Sequence, residues 1–144
     1  MSLRNRGWMF AGTFLALALL LSGLAMGDWA YLSPEEMAGQ SDLIVLGECV
    51  ELQRATSASD GSTRSIGVLR VDTVLRGQAP APTVRLLLPP DRPHGLVASE
   101  DVSIVKGQRG LWYLRKRGDD LYFIDRPDRF VPMDEAQPRI DALR

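Results

Sequence analysis

The chain has 144 residues and carries 17 lysines and arginines against 18 aspartates and glutamates. All 18 acidic residues but only 15 of the basic ones lie beyond position 27, so this body of 117 residues has a formal charge of −3. Phosphate binding needs an excess of positive charge on one face, and this balance therefore argues against nucleic acid as the main partner. A body of this length suits one domain with one hydrophobic core.

The first 27 residues carry the pattern of a leader that directs export. Arg4 and Arg6 precede an apolar run from Met9 to Met26, and no acidic residue occurs in this part of the chain. The pattern predicts a signal peptide cut after Gly27, or an uncleaved membrane anchor, because the run approaches the ~20 residues that span a bilayer. Under both interpretations residues 28–144 lie outside the cytoplasm, periplasmic or secreted, and touch a membrane only through the N-terminal segment.

The body opens with a helix start that is followed by a strand. Ser33–Glu36 has the sequence of a capping box with proline at the first helical position, which predicts a short helix from Pro34 to Gln40 with Met37 turned inward. The aliphatic and β-branched run from Leu43 to Leu52 predicts a strand. Gly47 within this strand indicates a bulge or a tight bend, as barrel corners use.

A loop and two further strands are expected next. The stretch from Arg54 to Arg64 is rich in serine, threonine, aspartate and glycine, which predicts a loop. Strands are expected from Ile66 to Leu75 and from Thr83 to Leu88, and two prolines end the second of them. Residues 101–105 fit either a short strand or one turn of helix.

A hairpin and a helix close the predicted domain. Gly118–Asp119 is a two-residue turn that joins the expected strands Leu111–Arg117 and Asp120–Asp125. A helix is expected between Asp134 and Leu143, with Pro138 limiting where it starts. The whole order predicts a mainly β protein, a five-stranded OB-like barrel with a short N-terminal and a C-terminal helix. A two-layer sandwich is the alternative.

Three segments of the body resemble a known family. Ser41–Val50, Leu69–Gly77 and Lys106–Leu114 are similar to segments of the netrin-like domains, which include the tissue inhibitors of metalloproteinases and their bacterial relatives. The resemblance extends from Ser33 to about Ile124 and implies an OB-type barrel with terminal helices packed against it. The animal inhibitors place an N-terminal cysteine on the protease zinc. This chain has no cysteine near position 28, so that route of inhibition does not carry over.

Four residues of the hairpin region are predicted to form a binding patch: Trp112, Tyr113, Arg115 and Tyr122. Adjacent residues on a strand face opposite ways, so Trp112 and Tyr113 cannot both face one core. The outward member, with Tyr122 or Phe123 beside it, would form an exposed aromatic contact surface next to basic side chains. The alternative is cross-strand aromatic packing, which needs no ligand.

The residue types present offer little for a metal site. Cys49 is the only cysteine and His94 the only histidine, so no disulfide and no cysteine–histidine cluster can form within the chain. Cys49 is expected to be a buried strand residue rather than a reactive thiol or an intermolecular bridge, and His94 a solvated loop residue. The aspartates between positions 119 and 128 lack calcium-loop spacing and are expected to form ion pairs. No metal or cofactor is therefore expected.

The sequence predicts binding rather than catalysis. It contains no phosphate-binding glycine loop and no Gly-x-Ser-x-Gly motif. Glu48 and Glu51, expected on opposite faces of one strand, are poorly placed for paired-carboxylate chemistry. The expected function is that of an exported non-catalytic binding or interaction module of the cell envelope or extracellular space, with a protein partner. The alternatives are a secreted or periplasmic enzyme inhibitor or accessory factor, and a hydrolase whose site would join His94 to a carboxylate and a serine.

Overall fold

The structure, a computed structural model, describes residues 32–56, 61, 63–89 and 102–144. All of them belong to one unit, Leu32–Arg144. The leader expected over residues 1–27 and the predicted loop histidine, His94, lie outside the described residues. Among the residues that are described, no helix combines the length and the apolar character needed to cross a membrane.

The described chain forms six strands and two short α-helices. The strands are β1 (Leu43–Thr56), β2 (Thr63–Arg76), β3 (Thr83–Leu87), β4 (Arg109–Lys116), β5 (Leu121–Phe123) and β6 (Phe130–Pro132). The helices are α1 (Pro34–Gly39) and α2 (Gln137–Ala142), and 3₁₀ turns cover Pro127–Arg129 and Met133–Glu135. The predictions of a mainly β protein and of a short C-terminal helix are therefore confirmed.

The strands pair into one sheet whose order leads back to its first strand. β1 pairs antiparallel with β2 and with β4, and β2 pairs antiparallel with β3. β3 and β5 are parallel neighbours, β5 is antiparallel to β4 as the predicted hairpin requires, and β6 adds three residues beside β4. The pairing therefore passes from β1 through β2, β3, β5 and β4 back to β1.

α1 begins at the capping box that the sequence predicts. The backbone N–H of Glu36 donates to Ser33 Oγ at 3.2 Å, and the N–H of Ser33 donates to Glu36 Oε2 at 2.8 Å. Pro34 occupies the first turn, where a missing N–H costs no intrahelical hydrogen bond. Met37 and Ala38 are buried, so the cap fixes the start of the helix while these side chains fasten it to the core.

Removing the cap hydroxyl tests how far this helix depends on it. In Ser33→Ala the N–H of Glu36 loses its acceptor, and we expect the free energy of unfolding to fall by about 1 kcal/mol. The helix has six residues, too few to be stable without its cap and its tertiary contacts. Urea denaturation followed by tryptophan fluorescence measures the change. Ser33→Asp, which keeps an oxygen acceptor, is the matched control, and equal losses in both variants would contradict the capping role.

β1 is irregular where the sequence places Gly47. The register with β2 shifts between Leu46 and Gly47, which confirms the predicted bulge or bend. A side chain at Gly47 would collide with the backbone carbonyl of Arg70 on β2, so only glycine allows the two strands to approach this closely. β1 thereby pairs with β2 from Ile44 onwards and with β4 over Leu43–Glu48.

The first predicted loop is shorter than expected. The loop from Arg54 to Arg64 is wrong at both ends, because β1 continues to Thr56 and β2 starts at Thr63, with these two threonines paired. Polar side chains are tolerated there because backbone hydrogen bonds between the two strands stabilise a ribbon exposed to solvent. Residues 102–105 form neither of the two alternatives expected for that segment, strand or helix.

The C-terminal region also differs from the prediction in detail. α2 starts at Gln137 rather than at Asp134, because a 3₁₀ turn occupies Met133–Glu135 and Pro138 suits only the first turn of an α-helix. The three-residue strand β6 precedes this turn. The sequence does not predict β6, because three residues are too few to show a hydrophobic period.

The buried side chains form two clusters, and β4 contributes to both. One cluster lies among the paired strands and takes in Trp112 and Leu114 of β4. The other takes in Leu111 and Tyr113 of β4 together with residues of α1 and α2. Successive side chains of a strand point to opposite faces, so both faces of β4 are covered, one by strands and the other by the two helices.

Candidate functional site

The aromatic residues predicted to form a contact patch are buried. Trp112 and Tyr113 are 0% exposed and Tyr122 is 3% exposed, so none of them presents an aromatic surface to solvent. The expectation that Trp112 or Tyr113 faces outward is wrong because α1 and α2 cover the second face of β4. They enclose Tyr113 as fully as the strands enclose Trp112. Arg115 alone among the four predicted residues is partly exposed. Trp112, Tyr113 and Tyr122 therefore form no exposed patch, and Phe123, which was expected beside them, is half-buried.

Cys49 is a fully buried thiol, as predicted. Its exposure is 0%, and the sulfur donates a weak hydrogen bond to the Glu51 carbonyl at 3.5 Å. Burial raises the pKa of this thiol, the charge of Glu48 adds to the effect, and the hydrogen bond to Glu51 opposes both. An enclosed thiol that stays protonated has a structural role rather than that of a nucleophile.

Three of the aspartates around β5, Asp120, Asp125 and Asp128, form ion pairs, as predicted. Asp120 accepts two hydrogen bonds from Arg85, at 2.9 and 2.8 Å, and this bidentate pair joins the end of the hairpin turn to β3. Asp128 pairs with Arg126 at 2.8 Å. Within the described part of the chain, no group of three or more histidine, cysteine or acidic side chains is arranged to hold a metal ion. Arginine side chains are the partners of Asp120, Asp125 and Asp128.

The candidate site lies on the outward face of β2, β3 and β5. Leu86 and Leu88 are buried while Leu87 between them is half-buried, so Leu87 points away from the core. Leu87 pairs with Ile66 of β2 on one side and with Phe123 of β5 on the other, and both partners are also half-buried. Cross-strand neighbours share a face. Ile66, Leu87 and Phe123 therefore form an apolar row on the solvent side, which we call the outer row.

A pocket of about 270 Å³ opens at one end of this face. It is lined by two arginines, one aspartate and five apolar residues: Arg64, Arg117, Asp125, Leu87, Leu88, Pro89, Phe123 and Ile124. We call it the arginine-rimmed pocket. The buried Leu88 and Ile124 form its floor, whereas Arg64 and Arg117 reach solvent at its edge. An apolar floor below a cationic rim suits a ligand that combines an apolar part with a negative charge.

Two guanidinium groups lie against the aromatic wall of the pocket. The Cζ atoms of Arg115 and Arg117 are 5.2 and 5.7 Å from the centre of the Phe123 ring, which is within cation–π range. Arg115 also pairs with Asp125 at 3.3 Å. Stacking orients a guanidinium through its face and leaves its N–H edge to donate to an acceptor. Phe123 therefore serves both as an apolar wall and as a support for the cationic rim.

A buried arginine anchors the Asp125 side of the pocket. Arg129 is 0% exposed, and its Nε donates to Asp125 Oδ1. Its Nη1 donates to Ser41 Oγ at 3.1 Å and to the Tyr113 carbonyl at 3.4 Å, so the 3₁₀ turn that carries Arg129 is tied to β4 and to the chain after α1. The buried guanidinium of Arg129 neutralises most of the charge of the Asp125 carboxylate. The rim therefore keeps its positive character despite a carboxylate in the lining.

The pairing of Asp125 with Arg129 makes the free energy of unfolding depend on pH. Burial alone would raise the pKa of Asp125, but the hydrogen bond and charge of Arg129, with the charge of Arg115, hold that pKa below its ordinary value. The unfolded chain then binds a proton more readily than the folded chain. The Asp125 carboxylate therefore contributes to the free energy of unfolding above about pH 4. This contribution is lost as the pH falls further.

Denaturation of the wild type and of Asp125→Asn at several pH values measures this effect. Near neutral pH the wild type should be the more stable, and the difference in unfolding free energy should shrink below about pH 4, where the wild-type carboxylate takes up a proton. A difference that stays constant from pH 7 to pH 3 would contradict the ion pair.

A second charged cluster crosses β2, β1 and β4 but carries no net charge. Arg70 pairs with Glu48 at 2.9 Å and with Asp72 at 3.3 Å, and Asp72 also pairs with Arg109 at 3.2 Å. Two cations and two anions balance one another, and all four side chains are partly exposed, so the cluster adds little stability. It offers no net attraction to a charged ligand, and the arginine-rimmed pocket is therefore the candidate site.

Sequence reasoning named Phe123 of the lining and one neighbour of the site, and it missed the rest of the lining. Arg115, one of the four predicted binding residues, lies beside the pocket, but Arg64, Leu87 and Arg117 were not brought together by any motif. A partial signal exists in the alternation of apolar residues in β3, which leaves Leu87 and Arg85 on the outward face. The elements that supply the arginines are distant in sequence, so their proximity needs the strand order.

Comparison with known proteins adds no family to this description. No protein-family model matches the chain, and no curated protein matches it at a significant level.

Proposed function

We propose that this protein is an exported, non-catalytic binding module of the cell envelope or extracellular space, built on an OB-like barrel. The circuit of strand pairing that leads from β1 back to β1 supports closure into a barrel of five strands. The short helices near both ends agree with the resemblance to netrin-like domains. The leader pattern in residues 1–27 supports export, with either a cleaved signal peptide or an anchor.

The observation that carries this proposal is the arginine-rimmed pocket at the end of the outer row. OB folds bind ligands across the face of their strands 2 and 3 and with the loops beside it. In this chain the outer row crosses β2, β3 and β5. The pocket takes Arg64 from the start of β2 and Arg117 from the turn between β4 and β5. In a barrel of OB type this region presents a ligand, which supports the pocket as the binding site.

A protein partner suits this surface better than a nucleic acid. The centres of protein interfaces are rich in aromatic residues and arginine, and the pocket combines Phe123 with Arg64 and Arg117. A nucleic-acid backbone requires a continuous positive surface, whereas Asp120 and Asp125 interrupt the arginines here. The described lining of the pocket consists of arginine, aspartate and apolar side chains, the combination that the core of a protein interface uses.

Capture of partners from the native envelope or culture medium tests the proposal. The full chain with a C-terminal affinity tag is recovered after mild cross-linking, and bound proteins are quantified by mass spectrometry. We expect R64E/R117E to retain about tenfold less of the specific partner, because two charges at the rim are reversed. R76E, at the far end of β2, is the matched control and should keep the partner. Equal recovery by all three folded chains would overturn the pocket as the binding site.

An enzyme inhibitor or accessory factor is the second candidate, and the long β1–β2 ribbon favours it. Among the described residues, β1 from Gln53 to Thr56 pairs only with β2, because its pairing with β4 ends at Glu48. A ribbon that extends past the other strands presents a free edge to a partner. In that case Ala55→Glu would abolish partner capture while R117E would leave it intact.

A further inference from the structure

We infer that the arginine-rimmed pocket receives an aromatic or aliphatic side chain of a protein partner, with a carboxylate of the same segment bound at the rim. This inference rests on the proposed function and specifies its ligand. That ligand is a short acidic segment in which apolar and acidic residues are neighbours. The size, the charge and the aromatic wall of the pocket carry the inference.

The size of the pocket favours a side chain over a free small molecule. Its volume is about 270 Å³, below the roughly 300–1,000 Å³ of sites that enclose drug-sized ligands. Interfaces between proteins commonly place one large anchor side chain into a pocket on the partner. Leu87 and Leu88 offer aliphatic contacts to such an anchor and Phe123 an aromatic one. Burial of the anchor would remove apolar surface of both proteins from water.

The charge at the rim selects a carboxylate. Arg64 and Arg117 line the pocket, and Arg115 lies next to it. Asp125 is the negative group of the lining, and its two oxygens accept hydrogen bonds from Arg129 and Arg115. The rim therefore keeps an excess of positive charge. Guanidinium groups bind carboxylates through two parallel hydrogen bonds, which gives both strength and orientation.

A densely charged polyanion suits the pocket less well. The floor of Leu88 and Ile124 cannot donate to a phosphate or sulfate group, whose burial without hydrogen bonds is costly. A single carboxylate beside an apolar side chain satisfies the rim and the floor together.

Peptide binding to the full chain tests the inference directly. The probe is the fluorescein-labelled peptide Gly-Ser-Phe-Glu-Phe-Glu-Ser-Gly, and binding is followed by fluorescence anisotropy. One matched peptide replaces both glutamates by glutamine, and another replaces both phenylalanines by alanine. We expect each to bind about tenfold more weakly than the probe, because the first loses charged hydrogen bonds and the second loses its apolar anchor. Inorganic pyrophosphate should displace the probe poorly.

Variants of the protein locate the binding at the pocket. R117Q should weaken the probe about tenfold while leaving the affinity for the glutamine peptide unchanged, because only the carboxylate contact is lost. Arg117 is exposed, so the melting temperature should not move. R76Q is the matched control and should bind the probe as the wild type does. Equal affinity for the glutamate and glutamine peptides, or an unchanged affinity in R117Q, would overturn the inference.

The inference and the proposed function can fail separately. If no peptide binds but partner capture still depends on Arg64 and Arg117, the acidic-segment ligand is wrong and the binding role of the pocket stands. The same holds if pyrophosphate competes as strongly as the probe peptide. If partner capture is indifferent to both arginines, the proposed function falls and the inference falls with it.

Discussion

Replacing Trp112 by alanine is expected to lower the free energy of unfolding by about 4 kcal/mol, a large part of the stability of a single domain. The side chain is 0% exposed, and its indole N–H donates to the Gly47 carbonyl at 3.0 Å. Its ring centre lies 4.4 Å from that of Phe130, so the residue joins β1, β4 and β6. Alanine would leave a cavity among these strands and a buried carbonyl without its donor.

Two further variants compare the stability lost at the core position 112 with the stability lost at position 123 on the outer row. Trp112→Phe keeps an aromatic ring near Phe130 but removes the N–H, and about half of the alanine cost is expected. Phe123→Ala, on the half-buried outer row, should cost no more than about 1.5 kcal/mol. Urea denaturation followed by far-ultraviolet circular dichroism measures all three, since it does not rely on tryptophan. Equal costs at positions 112 and 123 would contradict the assignment of these aromatics to core and surface.

Asp125→Ala is expected to cost about 3 kcal/mol, although this carboxylate is itself partly exposed. The cost arises at Arg129, which is 0% exposed and would keep its charge after losing its ionic partner. Removing one member of a buried pair commonly costs about 3–5 kcal/mol. The 39% exposure of the Asp125 side chain places this pair at the lower end, because solvent screens part of the interaction.

Removing the buried charge should reverse part of that loss. Arg129→Met fills a similar volume without a charge and is expected to cost only about 1–2 kcal/mol. The double variant D125A/R129M should therefore be more stable than D125A alone, which makes the two positions strongly non-additive. The same denaturation experiments supply these numbers. A double variant less stable than D125A would show that an unpaired buried guanidinium is not the cause.

Features set by a few adjacent residues were predictable from the sequence. The capping box from Ser33 to Glu36 and the irregularity at Gly47 depend on local chain geometry, and both are present. The β4–β5 hairpin also follows from a glycine turn between two apolar runs. The predicted two-residue turn is wrong in length, because β4 ends at Lys116 and β5 begins at Leu121, so four residues connect the strands. These features constrain the fold strongly, because they fix where strands start, bend and turn.

The burial of both Trp112 and Tyr113 required information from distant parts of the chain. Alternation along β4 assigns the two side chains to opposite faces, but it does not say what covers each face. Tyr113 is enclosed by α1 and α2, which come from the two ends of the described body. A strand that is buried on both faces has a continuous run of apolar residues in its sequence. In β4 the run Leu111–Leu114 therefore indicated burial of both faces, which alternation alone did not.

The candidate site was hidden for a similar reason. Arg64, Leu87 and Arg117 belong to different strands and turns, and only the strand order places them around one pocket. Asp125 and Arg129 have the spacing of an ordinary surface pair. Packing of the surrounding chain buries Arg129, so the pair holds the 3₁₀ turn against β4. Charge in the sequence therefore indicated ion pairs but not which of them would be enclosed.

Site-specific photo-cross-linking in living cells tests the central claim, that a protein partner binds at the arginine-rimmed pocket. Leu87, in the pocket lining, is replaced by p-benzoylphenylalanine in the full chain, and Met133, exposed and outside the lining, receives the same substitution as a control. We predict that irradiation joins position 87 to one partner protein, that R117E suppresses this adduct, and that position 133 gives none. Adducts that form equally at both positions, or that survive R117E, would contradict the account.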